Sequence, residues 1–309
     1  MLAQNDSFDI VVVGSNMIDM ITRISRLPKM GETLAGTSFS MGFGGKGANQ
    51  AVTGARLGAS VAMVCKVGRD SFGGMVRKNF EDNGVYARVF EDQTLASGVA
   101  PITVDEEGRN LVIIVPGANM TLSAAEVEQA ADLIRQAKVL ICQLEIQDEA
   151  ILRAFEIAHA AGVRIIFNPA PARSVPARMI ELADIVVPNE TEAELLTGLS
   201  VSGLNGASDA AHRLKEMGAQ TVIVTLGASG ALLWDGHEEQ HFSPPKVNAV
   251  DTTGSGDAFI GSLAYALVQG KDMPAAIRFA NQVAALSVTK PGTQTSFPTL
   301  NEVNEFIGS

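Results

Sequence analysis

Runs of aliphatic residues at Asp9–Val13, Ser60–Val67, Lys138–Leu144, Val163–Phe167, Asp184–Val187 and Thr221–Thr225 constrain the fold of this chain more than any other feature. Each is short and apolar without alternation, the pattern of a strand buried on both faces. Helical periodicity separates them, over Gly47–Leu57, Gly74–Asn83, Ser123–Arg135, Glu149–Ala160, Thr191–Leu196 and Ser208–Met217. Strand, helix and strand in succession build βαβ units, so an α/β fold with a doubly wound, mostly parallel sheet is expected. The C-terminal third is mainly helical.

Two stretches break this rhythm. Met17–Phe43 and Ser97–Ile114 read as short, alternating or turn-bounded strands with no crossover helix, which places them outside the main sheet as a small antiparallel flap. The alternative is a pair of long loops. The 30 glycines cluster at strand-to-helix junctions and form no linker, and there is no internal repeat. A length of 309 residues suits one large α/β domain or two smaller ones; with no linker it is read as one, 1–309.

Composition excludes several functions. With 46% apolar and 18% charged residues the chain is an ordinary globular protein, and its net charge of -11, with no basic run, repels phosphate backbones and argues against a nucleic-acid partner. The opening MLAQNDSFDIVVVGS lacks a basic n-region and has only a four-residue apolar run, so no signal peptide is expected. No segment approaches the roughly 20 apolar residues of a membrane span. Cys65 and Cys142 suit a reducing compartment, so a cytoplasmic location is expected.

Two glycine loops carry the chemistry. Met41–Gln50 contains G-x-G-x-x-G at Gly42, Gly44 and Gly47, but the preceding Thr37–Met41 is polar, and Lys46 and Asn49 bring side-chain donors where a dinucleotide pyrophosphate would meet bare backbone. Nor is it a P-loop, since Gly47 follows Lys46. The loop is either a turn that lets a polyhydroxylated ligand approach backbone, with Lys46 and Asn49 as donors, or a helix-capping turn. The second loop is Asp251–Asp257, where the N–H groups of Gly254, Ser255 and Gly256 can converge at a helix N-terminus to form an anion hole. Asp257 is then either a proton acceptor beside a transferring phosphoryl group or a helix cap.

Three further positions are ambiguous alone. Asn189 and Glu192 match a capping box or an oxygen-ligand set for magnesium. Thr225–Gly230 ends a buried run in a glycine turn that either cradles phosphate or makes a hairpin. Glu145 sits at the carboxyl edge of a strand, where open α/β sheets bind ligands. His237–His241 matches H-E-x-x-H, but Asp235-Gly236 before it and Pro244-Pro245 after it indicate a turn between strands. Extended, its imidazoles would lie about 13 Å apart at roughly 3.3 Å per residue, too far to share a zinc that needs each nitrogen at about 2 Å. His159 and His212 read as partly exposed helix residues.

Taken together, Gly44–Gln50, Asn189–Glu192 and Asp251–Asp257, in this order and spacing, resemble the ribokinase-like (phosphofructokinase-B-type) sugar kinases over nearly the whole chain. The resemblance implies a three-layer α/β sandwich with a β-sheet lid, here about 17–43 and 97–114, and a homodimer formed through paired lids. It also implies that Asp257 is the general base for attack of a sugar's primary hydroxyl on ATP, with Gly254, Ser255 and Gly256 as the anion hole. Asp19, Gly45, Lys46, Asn49 and Glu145 match sugar-site positions, Asn189, Thr225, Gly227, Gly230 and Asn281 match nucleotide-site positions, and Glu192 matches the residue that organises Mg2+ through water. An activating K+ is implied at Asp251, Thr253, Ser287, Lys290, Gly292 and Ser296, several acting through backbone carbonyls.

One departure points to the substrate. Ribokinases carry G-S-I-N-x-D at the first strand end, whereas here Gly14-Ser15-Asn16-Met17-Ile18-Asp19 puts Met17 where an asparagine would bond ribose hydroxyls. Together with Ser97–Ile102 this looks like the 2-deoxyribose kinases of the family. An apolar contact suits a carbon lacking its hydroxyl, while ribose would bury an unsatisfied one at a cost of about 1–3 kcal/mol. Such a pocket rejects the extra hydroxyl by only ~100-fold, so preference is expected and not exclusion. The expected activity is ATP-dependent 5-phosphorylation of a pentose, preferentially 2-deoxy-D-ribose, with D-ribose as the alternative substrate. A sugar-sensing protein without turnover and a dinucleotide-dependent oxidoreductase are the remaining alternatives.

Overall fold

Strand β1 (Ile10–Val13) is an interior strand of the main sheet with each of its side chains at most 1% exposed. The computed structural model describes residues 7–308; residues 1–6 and 309, which include the start of the stretch read for a signal peptide and both ends of the 1–309 span, lie outside the described residues. The chain continues through β2 (Met17–Arg23), β3 (Ser38–Gly44), α1 (Lys46–Arg56), β4 (Val61–Gly68), α2 (Ser71–Asp82), β5 (Tyr86–Asp92), β6 (Val99–Val104) and β7 (Asn110–Val112). Then come α3 (Ala124–Gln129), α4 (Ala131–Arg135), β8 (Val139–Cys142), α5 (Asp148–Ala161), β9 (Arg164–Phe167), α6 (Ala177–Leu182), β10 (Ile185–Val186), α7 (Glu190–Thr197) and α8 (Gly203–Glu216). The last part holds β11 (Thr221–Thr225), β12 (Ala231–Trp234), β13 (Glu239–Phe242), α9 (Ser255–Val268), α10 (Met273–Ser287) and α11 (Leu300–Gly308).

Alternation along the buried strands produces three layers. Val11, Val13, Val64, Leu140 and Cys142 join one apolar cluster with residues of α3 to α8, while Ile10, Val12, Met63, Val139 and Ile141 join another with residues of α1, α2, α9, α10 and α11. Successive side chains of a strand point to opposite faces, so an unbroken aliphatic run needs helices on both sides. The nine-stranded sheet has the order β13-β12-β11-β10-β9-β8-β1-β4-β5, and only β12 and β13 join it antiparallel. Beside β1 the order reverses: β4 is on one side and β8 on the other. Helices therefore diverge from this point and leave a crevice at the carboxyl ends of the strands.

The two aberrant stretches do form a separate small sheet, ordered β3-β2-β6-β7. It corrects the antiparallel expectation: β2 and β6 pair parallel, flanked by antiparallel β3 and β7. A parallel pair arises because β2 and β6 both leave the carboxyl edge of the main sheet in the same direction, each following one of its strands.

Other boundaries differ for local reasons. The helix expected over 123–135 is two short ones that meet at Ala130, the first opened by a capping box between Ser123 and Glu126. Strand β5 escapes the sequence reading because it is an edge strand that alternates, Tyr-Ala-Arg-Val-Phe-Glu-Asp, instead of running apolar. Helix α6 is too short to show periodicity. The His237–His241 segment is a turn leading into β13, where His241 Nε2 bonds the Ser229 carbonyl at 2.6 Å and Glu239 pairs with His212 of α8. Among the described residues no cluster of three or more His, Cys, Asp or Glu could hold a metal, and no helix is long and apolar enough to cross a membrane.

Candidate active site

Three loops meet where the strand order reverses. After β1, Gly14 and Ser15 turn the chain towards the small sheet; after β8 comes Glu145; and β3 ends in the first glycine loop. The Glu145 Oε2 atom accepts from the Ser15 hydroxyl at 2.5 Å and from the Lys46 N–H at 2.9 Å. A carboxylate thus sits at the N-terminus of α1, where unpaired N–H groups and the helix dipole favour negative charge. The Ser15 carbonyl and hydroxyl take the next two donors, Ala48 N–H at 2.8 Å and Gly47 N–H at 3.3 Å. Glycine is required for this approach: at Gly45 φ is 86°, and a Cβ there would lie 2.7 Å from Asn16 Cα. Because β3 belongs to the small sheet, the G-x-G-x-x-G pattern is not a dinucleotide turn.

The second glycine loop opens α9. Its N-cap is Gly254, at φ 79° and without a side-chain cap, so Asp257 does not cap the helix. Its carboxylate instead accepts from Asn49 Nδ2 and Gln50 Nε2, both at 2.9 Å and both from α1. Asp257 is 6% exposed and lines a cavity of about 180 Å³ with Lys46, Asn168, Asn189, Glu192, Thr225, Gly254 and Gly256. Of the loop amides, Ser255 N–H is directed at the Thr252 carbonyl at 3.2 Å, while Gly254 and Gly256 N–H have no backbone acceptor among the described residues. A Cβ added at Gly256 would meet nothing within 4 Å and would enter open space. Burial works against the Lys46 ammonium, but the charges of Asp257, Glu145 and Glu192 outweigh it and raise its pKa.

A second cavity of about 340 Å³ shares Asn189, Thr225 and Gly256 with the first and is also lined by Gly227, Gly230, Ser255 and Asn281. Asn281 donates to the Phe242 carbonyl at 2.9 Å. The capping box does form: Glu192 N–H donates to Asn189 Oδ1, while Asn189 N–H and Nδ2 donate to the two Glu192 oxygens. Each Glu192 oxygen keeps acceptor capacity towards the cavity. Burial raises the Glu192 pKa. Thr225 to Gly230 is both hairpin turn and cavity wall, with β12 returning antiparallel.

Asp251 ties the second glycine loop to the segment after α10. One oxygen accepts from Thr253 N–H and the other from Gly292 N–H, each at 2.9 Å. Burial raises its pKa, but the bonds from Thr253 and Gly292 hold it below the usual carboxylate range. The Lys290 ammonium pairs with Glu302, and the Ser287 and Ser296 hydroxyls donate to nearby carbonyls.

Asp19 points from β2 towards the glycine loop, 9% exposed, and a Cβ at Gly44 would lie 2.4 Å from its Oδ1. Burial, reinforced by the charge of Glu145, pushes its pKa up to about 6. Met17 opens β2 opposite Gly44; it is buried but belongs to neither apolar cluster. The sequence reading assigned no role to Ser15, Gln50, Asn168 or Gln294. Gln50 stood inside the glycine-loop motif, yet no spacing rule distinguishes a glutamine that holds a base from one in a core.

A family model described as pfkB family carbohydrate kinase matches residues 7–300. The chain belongs to that family. The carbohydrate kinase is 44% identical over 301 residues to a ribokinase of Mus musculus, covering 96% of this chain and 93% of the relative. It is 42% identical over 301 residues to a deoxyribokinase of Salmonella typhi, covering 97% and 98%. Its fold matches a structure of Arabidopsis thaliana ribokinase complexed with ribose and ATP at a TM-score of 0.93 and 32% identity, covering 98% and 100%.

Two outcomes are expected. Gly256→Val leaves the unfolding free energy within about 1 kcal/mol, since a side chain there clashes with nothing, yet lowers kinase turnover by ~100-fold by filling the mouth of α9; steady-state kinetics with urea unfolding checks both. Asp19 holds its proton more tightly folded than unfolded, so its effect on stability is most favourable at low pH and deteriorates as pH rises from 3.8 through about 6. Asp19→Asn should therefore stabilise the kinase at pH 7.5, by up to about 3 kcal/mol, with the gain vanishing near pH 4. Urea titrations at both pH values check this, and an equal gain at each contradicts it.

Proposed function

We propose that this carbohydrate kinase transfers the γ-phosphoryl group of ATP to the 5-hydroxyl of a pentose, preferentially 2-deoxy-D-ribose. The observation that carries the reading is the Asp257 carboxylate, held by two neutral amides at the mouth of α9 in a cavity that adjoins a second one through Gly256, Asn189 and Thr225. Neutral donors orient a carboxylate without neutralising its charge, which suits a general base.

The sugar lies against Asp19, Gly45, Lys46, Asn49 and Glu145, and the nucleotide occupies the cavity of Asn189, Thr225, Gly227, Gly230 and Asn281. Asp257 accepts the hydroxyl proton as the oxygen attacks the γ-phosphorus; the bond to the β-phosphate oxygen breaks and ADP leaves. The N–H groups of Gly254 and Gly256, with Ser255 N–H when it turns from Thr252, and the Lys46 ammonium face the charge that develops. Mg2+ supplies charge neutralisation on the phosphates; Glu192, with acceptor capacity left over from its capping box, would hold it through water. For K+, the donors that fit are the Asp251 carboxylate and main-chain oxygens near Thr253, Ser287, Lys290, Gly292 and Ser296, since the Lys290 ammonium is already paired with Glu302.

Met17 supports the deoxy sugar, because a buried thioether that joins neither apolar cluster stands where an asparagine would bond a ribose hydroxyl. The similar identity to a ribokinase supports D-ribose as the alternative. The small sheet acts as a lid on one domain, and its face opposite Asp19 exposes Phe39, Met41, Leu111 and Ile113 at about half their free area. A second copy of the chain covers that face in a homodimer. Cys65 and Cys142 are buried and unpaired, in keeping with the cytoplasm.

ADP release with each pentose tests the activity: kcat/KM should favour 2-deoxy-D-ribose by ~10-fold or more, Met17→Asn should move the ratio towards ribose, and Asp257→Asn should lose at least ~100-fold in kcat. A ribose preference in the unmutated protein selects the alternative. Light scattering should give a dimer that Ile113→Lys converts to a monomer; a dimer that survives the change excludes the lid interface.

A further inference from the structure

Asn49 donates to Asp257 only if its amide is turned the right way, because the opposite sense would set Oδ1 against a carboxylate. Its Oδ1 accepts from Gln294 Nε2 at 3.0 Å, so the sense of one amide depends on that of the next. Gln294 Oε1 accepts from Asn79 Nδ2 at 2.9 Å, Asn79 Oδ1 from Asn83 Nδ2 at 3.2 Å, and Asn83 Oδ1 from Arg56 Nε at 2.9 Å. Every donor in this row points towards Asp257. A guanidinium has donors only and a carboxylate acceptors only, so the two ends admit no other direction. The row joins α1, α2 and the turn after α10 to α9; Asn49, Asn79 and Gln294 are each at most 9% exposed, so water does not compete for these bonds. The other Asp257 oxygen is held in the same manner, by Gln50, whose own Oε1 accepts from Gln143 at 2.6 Å.

We propose that Gln294, held by Asn79, is a positioning residue that sets the amide sense of Asn49 and so aims Asp257 at the substrate hydroxyl. The catalytic part of this inference rests on the kinase reading above. Gln294 touches neither Asp257 nor the two cavities: it acts through Asn49. Its sequence neighbourhood, Gly292-Thr293-Gln294-Thr295-Ser296, carries no sign of the role.

The test uses substitutions that preserve shape and reverse polarity. Gln294→Glu cannot donate to Asn49 and draws the Asn49 NH2 group away from Asp257. Asn79→Asp draws the Gln294 NH2 group to itself and turns its Oε1 on Asn49, reversing the sense from two links away. Both should lower kcat for pentose phosphorylation by ~10-fold or more, with KM for ATP within about twofold, while Gln294→Met, which only removes the donor, should fall between them and the unmutated protein. Side-chain amide NMR, with the Asn49 signal assigned by its loss in Asn49→Ala, gives a readout that does not need turnover: the Asn49 amide protons should shift upfield in both reversing variants. An Asn49 signal unmoved in folded Gln294→Glu and Asn79→Asp overturns the proposal, as does loss of folding in all three variants, which would assign the row to stability alone. Absence of ADP release from the unmutated protein would sink the kinase reading, and the NMR would still decide whether the relay exists.

Discussion

The reversal of strand order beside β1 is the constraint from which the rest of the site follows. Strands whose side chains are apolar on both faces must be covered on both faces, and crossover connections of one hand force the helices apart where the direction of winding changes. In this chain the winding turns between the adjacent strands β1 and β8, so the loop after β1, the acid after β8 and the glycine loop after β3 converge there. Glu145 is the clasp: one oxygen receives both a serine hydroxyl and the first N–H of α1. With Ser15, which takes the next two N–H groups, it fixes against the sheet the N-terminus of the helix that carries Lys46, Asn49 and Gln50.

From that anchored helix the chemistry follows by direct bonds. Asn49 and Gln50 are consecutive on α1 and reach the two oxygens of Asp257 on α9, so one helix N-terminus fixes the acid at another. Carboxylates in a poorly solvated space lose hydration and repel one another: burial first, and the charge of Glu145 second, raise the pKa of Asp19, while the Lys46 ammonium sits among the charges of Asp257, Glu145 and Glu192. The small sheet, growing from the same carboxyl edge, sets Asp19 against the first glycine loop. Its other face exposes the apolar side chains of Phe39, Met41, Leu111 and Ile113.

The layers of the fold were legible because burial leaves a linear trace. An unbroken run such as Ile10–Val13 can only be a central strand, and Thr221–Thr225 was read to its exact ends. Strand β5 left no such trace, since an edge strand alternates, and the parallel pairing of β2 with β6 joins segments some eighty residues apart. The site was legible in part. Glycines needed for close approach announce themselves, and the three motifs pointed to Asn49, Asn189 and Asp257. For Asp257 the residues alone favoured a helix cap over a base, and the structure overturns the cap: Gly254 is the N-cap, and the carboxylate is taken by two amides of α1.

The sequence by itself determined which segments are strands buried on both faces and where backbone must bend as only glycine can, because those properties depend on residue type and near neighbours. It also sufficed to mark the motifs that the family shares. The tertiary structure alone decided which polar groups meet: that Glu145 caps α1 from about a hundred residues away, that Asp19 is driven towards its neutral form, and that Gln294 and Asn79 stand in line behind Asn49. The reason is physical. A hydrogen bond has a direction and a length of about 3 Å, and neither is written in the order of residues until packing brings distant segments together.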